Sequence, residues 1–112
     1  MTGVAASFGA QADIAWTAGS PAVINDAGLC ALARRVAQER GFRVGLQEDT
    51  LGGEDFSCYL RNKPGIFIRV GTGGAYPAHH PRFTVDPAAL QGAADYFTAL
   101  ALAYLTEASV GD

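Results

Sequence analysis

Lys63-Pro64-Gly65-Ile66-Phe67-Ile68-Arg69-Val70-Gly71 is the stretch that decides the fold class. Five residues, β-branched or aromatic but for one arginine, stand between two sets of turn formers, which is the signature of a strand. The run is apolar almost throughout, and that suits a strand buried on both faces of a sheet. Working outward, Asp55 to Asn62 allows about two helical turns before Lys63-Pro64-Gly65 stops them. Phe42 to Leu46 alternates and reads as a second strand. Before it, Leu29, Leu32, Ala33, Val36 and Ala37 recur at helical spacing. Asn25 or Asp26 can cap that helix, and Gly41 sits just past its end.

Further out, Gln11 to Thr17 alternates weakly, with Ile14 and Trp16 on one face and Asp13 on the other, and predicts a short strand broken by Gly19-Ser20-Pro21. Residues 1–10 carry no periodic signal. At the other end Asp86-Pro87 opens a last helix, a cap followed by proline at the first position. Leu90, Ala93, Ala94, Phe97, Leu100, Ala101, Tyr104 and Leu105 make one broad apolar face on it, and the Phe97/Tyr104 side is expected in the core. Strands alternating with helices give an α/β class, with the helices packed on a mostly parallel or mixed sheet.

The bulk numbers exclude several classes. The 112 residues suit one domain, and the 49% apolar content allows a core. A net charge of −3, with eight scattered basic residues, argues against a nucleic-acid partner. No apolar run approaches the roughly 20 residues that span a bilayer. The N-terminus lacks a secretory signal pattern, so a soluble, cytoplasmic chain with no membrane partner is expected. Cys30 and Cys58 have no C-x-x-C spacing and read as small buried hydrophobes rather than as a disulfide.

Three segments could carry chemistry. Gly52-Gly53-Glu54-Asp55-Phe56 can place a carboxylate in a cleft, although two acids at a helix start also serve the dipole. Gly71-Thr72-Gly73-Gly74 follows a strand but lacks the third glycine of a dinucleotide loop and the lysine of a Walker loop. It suits close backbone approach to some other ligand. His79-His80-Pro81 offers imidazoles in a tight loop, where one metal ligand is more plausible than two. A zinc site needs three or four protein ligands, and there is no third histidine and no H-E-x-x-H. Consecutive side chains of an extended segment face opposite ways, and Pro81 biases His80 towards extension. His79 facing a cleft would then leave His80 facing away.

Taken in order, Pro21-x-x-x-Asn25-Asp26, Gly52-Gly53-Glu54-Asp55-Phe56, a hydrophobic strand ending at Gly71, His79-x-Pro81-x-Phe83 and Asp86-x-x-x-Leu90 resemble a known family. The set is similar to the C-terminal part of the aminoacylase/carboxypeptidase metallopeptidases, in their hippurate hydrolase and auxin-conjugate amidohydrolase branch. It covers about Gln11 to Leu105. The resemblance implies a partial catalytic domain of a two-domain metallo-amidohydrolase, with residues 1–20 a remnant of the lid, or dimerisation, domain and its last strand. Residues 21–112 would be the C-terminal part of the catalytic α/β domain.

The resemblance further implies hydrolysis of N-acyl amino acids or similar amides at a two-metal centre, with zinc or another divalent ion polarising the carbonyl. It makes His79 the last metal ligand and His80 a bystander. It makes Gly52, Gly53, Glu54 and Gly73 lining of the substrate cleft. The remaining ligands and the general-base glutamate lie upstream of the residues present. The chain alone is therefore expected to be inactive and without its own metal, and to need a missing N-terminal half or to form a homo-oligomer. The competing reading is a non-catalytic, self-associating interaction module that retains the fold.

Overall fold

The computed structural model describes residues 2–110, with side chains described through residue 107. The termini of the two expected domain spans, residue 1 and residues 111–112, lie outside the described residues. In chain order come α1 (Thr2–Ser7), α2 (Ala27–Glu39), α3 (Ser57–Leu60) and α4 (Pro87–Val110).

Helix α2 forms where the apolar spacing places it. Asp26 caps it, its Oδ1 accepting from the Leu29 N–H at 2.9 Å. Gly41 ends it at φ 78°. The Gly41 and Phe42 N–H groups reach back to the Gln38 and Ala37 carbonyls, a Schellman closure that only a left-handed residue permits without strain. Helix α4 opens as expected, with Asp86 Oδ1 accepting from the Ala88 N–H at 2.9 Å. Helix α3 is one turn rather than two, because flanking i→i+3 bonds at Ser57 and Asn62 tighten the segment on both sides. Helix α1 forms where the sequence carries no periodic signal. Gly9 at φ 65° closes it through Gly9 N–H to Ala6 O and Ala10 N–H to Ala5 O.

The core is the seam between α2 and α4. Leu32, Ala33, Val36 and Ala37 meet Tyr96 and Ala99, with Leu29, Phe42, Val44, Leu100 and Ala103 packed around them. The Tyr96 hydroxyl donates to the Ala33 carbonyl at 3.1 Å, and the Tyr96 ring packs on Phe42 at 5.6 Å between centroids. This corrects the expected face of α4. Tyr96, Ala99 and Ala103 carry the contact, whereas Phe97 is 72% exposed and Tyr104 50% exposed. Helix α4 is apolar on two sides, and α2 covers only one of them.

The expected sheet is not seen within the described part of this chain. Among the described residues no segment is assigned as a strand. The stretches 11–17, 42–46 and 66–70 have no ladder of backbone hydrogen bonds, because none of them finds a neighbouring strand. One clamp substitutes for a ladder. The Asn25 carboxamide accepts from the Phe67 N–H at 2.8 Å and donates to the Phe67 carbonyl at 3.0 Å. It thus imitates a paired peptide unit. Beside it the Asp26 N–H donates to the Gly65 carbonyl at 3.0 Å.

The molecule is correspondingly open. A compact chain of this length has a radius of gyration of about 13 Å; here it is 20.3 Å, with extents of 64 × 43 × 18 Å. The accessible surface is 9397 Å², against about 5,800 Å² for a compact monomer of this mass. Large apolar side chains contribute to it, Trp16, Leu46 and Phe97 among them. No helix is long and apolar enough to cross a membrane among the described residues.

Candidate functional site

The Gly52–Phe56 segment folds onto itself. Glu54 is half-buried, and its Oε1 accepts from the Phe56 N–H at 3.1 Å while its carbonyl accepts from buried Ser57 Oγ at 2.5 Å. Asp55 Oδ1 accepts from Ser20 Oγ at 3.1 Å. Glu54 is therefore engaged in local turn chemistry, whereas Asp55 holds a residue far away in the sequence, Ser20. Gly52 and Gly53 are exposed, and a Cβ on Gly53 would come no closer than 3.8 Å, to Ser20 Oγ.

The Gly71–Gly74 loop lies along residues 84–86. The Asp86 N–H donates to the Thr72 carbonyl at 2.9 Å. Gly73 sits at φ 71°, and a Cβ there would lie 3.3 Å from Asp86 Cβ. A Cβ on Gly74 would collide with the Thr84 carbonyl oxygen. The close approach is thus to the chain itself, to the Asp86 side chain at Gly73 and to the Thr84 backbone at Gly74.

His79 and His80 sit in two successive turns rather than in an extended run, which corrects the expected alternation. His80 N–H donates to the Pro77 carbonyl at 3.2 Å, and Phe83 N–H to the His80 carbonyl at 2.9 Å. His79 occupies the third position of the first turn at φ 70°, as a type II turn requires. Histidine enters this region more readily than most residues but still under strain. Pro81 takes the second position of the next turn, which suits its fixed φ.

The two imidazoles have different surroundings. His80 is half-buried, stacked on Tyr76 at 4.4 Å and 10° between planes, and its Nδ1 accepts from the Arg82 N–H at 3.0 Å. The Arg82 guanidinium lies 4.4 Å from the Tyr76 ring centroid. His79 is exposed, and among the described residues its side chain has no hydrogen bond or ring contact. Its ring nitrogens are free to bind a metal, so it fits a donor role. The fit is to one donor only, since no group of three or more His, Cys, Asp and Glu able to hold a metal occurs among the described residues.

The candidate residues lie outside two grooves of the molecule. A groove of about 520 Å³ runs between α2, residues 42–47 and residues 66–71, lined by Cys30, Ala33, Val44 and Ile68. A second lies between residues 24–27 and 60–65. Neither is lined by Gly52, Gly53, Glu54, Gly73 or His79. Among the described residues no hydrogen bond or ion pair joins the Gly52–Asp55 loop to Gly73 or His79. Tyr76 and Arg82 escaped the sequence reading. Their signal was an aromatic four residues before a histidine, with an arginine just beyond a proline.

The family profile described as Peptidase family M20/M25/M40 matches residues 3–103. An N-acetylcysteine deacetylase of Bacillus subtilis (strain 168) is 41% identical over 103 residues, 92% of this chain and 27% of that protein. An N-acetyl-L-cysteine deacetylase of the same organism is 36% identical over 87 residues, 78% of this chain and 21% of its own length. The crystal structure of the Bacillus subtilis YXEP protein, described as a dinuclear metal-binding peptidase from the M20 family, superposes with a TM-score of 0.82 at 40% identity. It covers 94% of this chain and 29% of that one. The chain spans about a quarter of the length of the curated relatives it matches.

Proposed function

The chain belongs to peptidase family M20/M25/M40, and on that premise we propose that it is the C-terminal segment of a metal-dependent amidohydrolase acting on N-acyl amino acids or similar amides. The observation that carries this reading is the 41% identity, over 92% of the chain, to a deacetylase of N-acetylcysteine. The ordered motifs from Pro21 to Leu90 support the hippurate hydrolase and auxin-conjugate branch. In this reading residues 1–20 belong to the lid and residues 21–112 to the catalytic domain, whose sheet would be completed by strands from the rest of the enzyme. The open surface supports it, because the same open conformation superposes on 94% of the chain within a larger solved enzyme.

His79 is the metal ligand this chain supplies, and Gly52, Gly53, Glu54 and Gly73 line the cleft once the missing part is in place. Zinc or another divalent ion, when bound, would polarise the scissile carbonyl and lower the pKa of the attacking water. We place the enzyme in the cytoplasm, in keeping with two free cysteines. Its partner is the remaining three-quarters of the enzyme, or a second copy where that is absent.

The test is hydrolysis of N-acetylcysteine by the purified chain with added zinc. No release of cysteine is expected, since one donor and no positioned base cannot run a two-metal mechanism. Robust zinc-dependent release would overturn the incompleteness and point to a site assembled across subunits. The uncovered side of α4 favours a second reading, a self-associating module without catalysis.

A further inference from the structure

His79 holds a left-handed backbone that a β-carbon disfavours, and such strain persists only where surrounding contacts over-determine it. None of those contacts comes from the His79 side chain. They converge on its neighbour. The His80 N–H closes the first turn on Pro77, and its carbonyl closes the second on Phe83. Its Nδ1 accepts from the Arg82 N–H at 3.0 Å. Its ring face stacks on Tyr76 at 4.4 Å, and Arg82 approaches the same Tyr76 ring at 4.4 Å. Residue 80 is thus pinned through backbone and side chain together, and the turn before it has no freedom to relax.

We propose that His80, with Tyr76 and Arg82, is a positioning brace that fixes the left-handed turn at His79 and so presents the His79 imidazole outward with both nitrogens free. The purpose of the brace rests on the reading of His79 as a metal ligand; its existence does not. The same hydrogen bond excludes His80 as a ligand. An Nδ1 that accepts from Arg82 leaves the ring proton on Nε2, and neither nitrogen then has an open lone pair.

The experiment uses the full chain and nuclear magnetic resonance. Amide exchange at Arg82 and the backbone carbon shifts of His79, which report positive φ, are compared in the parent, His80→Ala, His80→Asn and Tyr76→Ala. Loss of one neutral hydrogen bond should speed Arg82 exchange about threefold to tenfold in His80→Ala, with the His79 shifts moving towards ordinary turn values. His80→Asn should restore both, because an asparagine oxygen also accepts from the N–H two residues on. Tyr76→Ala should fall between. Unchanged exchange and unchanged His79 shifts in His80→Ala would overturn the brace, as would failure of His80→Asn to restore them. A zinc titration followed at the ring resonances separates the two ideas. Zinc should move His79 and spare His80; movement of His80 instead overturns the proposal. Movement of neither ring, with the exchange pattern as expected, supports the brace and leaves zinc binding to the ligands that the rest of the enzyme supplies.

Discussion

The Tyr96 hydroxyl donates to the Ala33 carbonyl across the α2–α4 seam, and burial pushes its pKa up from the ordinary 10.0. The folded chain therefore keeps the phenol neutral to higher pH than the unfolded chain does. Its contribution is complete below pH 10 and falls as pH rises through the raised folded value. Tyr96→Phe should cost about 0.5–1.5 kcal/mol at neutral pH, the worth of one hydrogen bond. It should also remove the alkaline loss. Urea unfolding at neutral pH and above pH 10, followed by circular dichroism, checks both; an alkaline loss that survives in Tyr96→Phe would assign it elsewhere. His79 is the other residue on which much depends. It stood out in the sequence only as half of a histidine pair, and nothing in that pair announces a left-handed turn. The distinction between the rings comes from Tyr76 and Arg82, which reach His80 through the fold of the loop.

Helix α2 was legible nearly to the residue, because its signals are local: Asp26 before it, the Leu32–Val36 spacing within it, Gly41 after it. Asp26→Ala should cost about 0.5–2 kcal/mol through the lost cap. Gly41→Ala should cost about 1 kcal/mol or more through the positive φ. Denaturant midpoints measured on the two variants check them, and a neutral Gly41→Ala would show that the closure is not maintained in solution. The segments 11–17, 42–46 and 66–70 read in the sequence as strands of a sheet, yet among the described residues none is assigned as a strand. A strand is completed by partners that local sequence does not contain. Asn25 illustrates the limit: it competed with Asp26 for the role of cap, and the structure gives it to Phe67 as a substitute peptide unit. The packed face of α4 was misread for a related reason. A helix apolar on two sides does not say in its sequence which side α2 will cover.

At the scale of the molecule, the radius of gyration is 20.3 Å and the Leu90, Phe97 and Tyr104 side of α4 is exposed. The excess surface, roughly 3,600 Å² over a compact monomer, is of the size that obligate interfaces bury. The isolated chain should therefore self-associate at micromolar concentration, and Phe97→Glu should weaken that association by charging the exposed face. Light scattering that shows a monomer for the parent chain would contradict this. The central claim, that these residues are a working segment of an M20-type amidohydrolase to which His79 contributes a ligand, is tested most directly by grafting. The chain replaces the 103 matching residues of the Bacillus subtilis N-acetylcysteine deacetylase, 41% identical to it, and zinc-dependent release of cysteine is measured with and without His79→Ala. The grafted enzyme should hydrolyse N-acetylcysteine and lose that activity on His79→Ala; a folded graft that hydrolyses nothing, or one that keeps its activity without His79, would contradict the account.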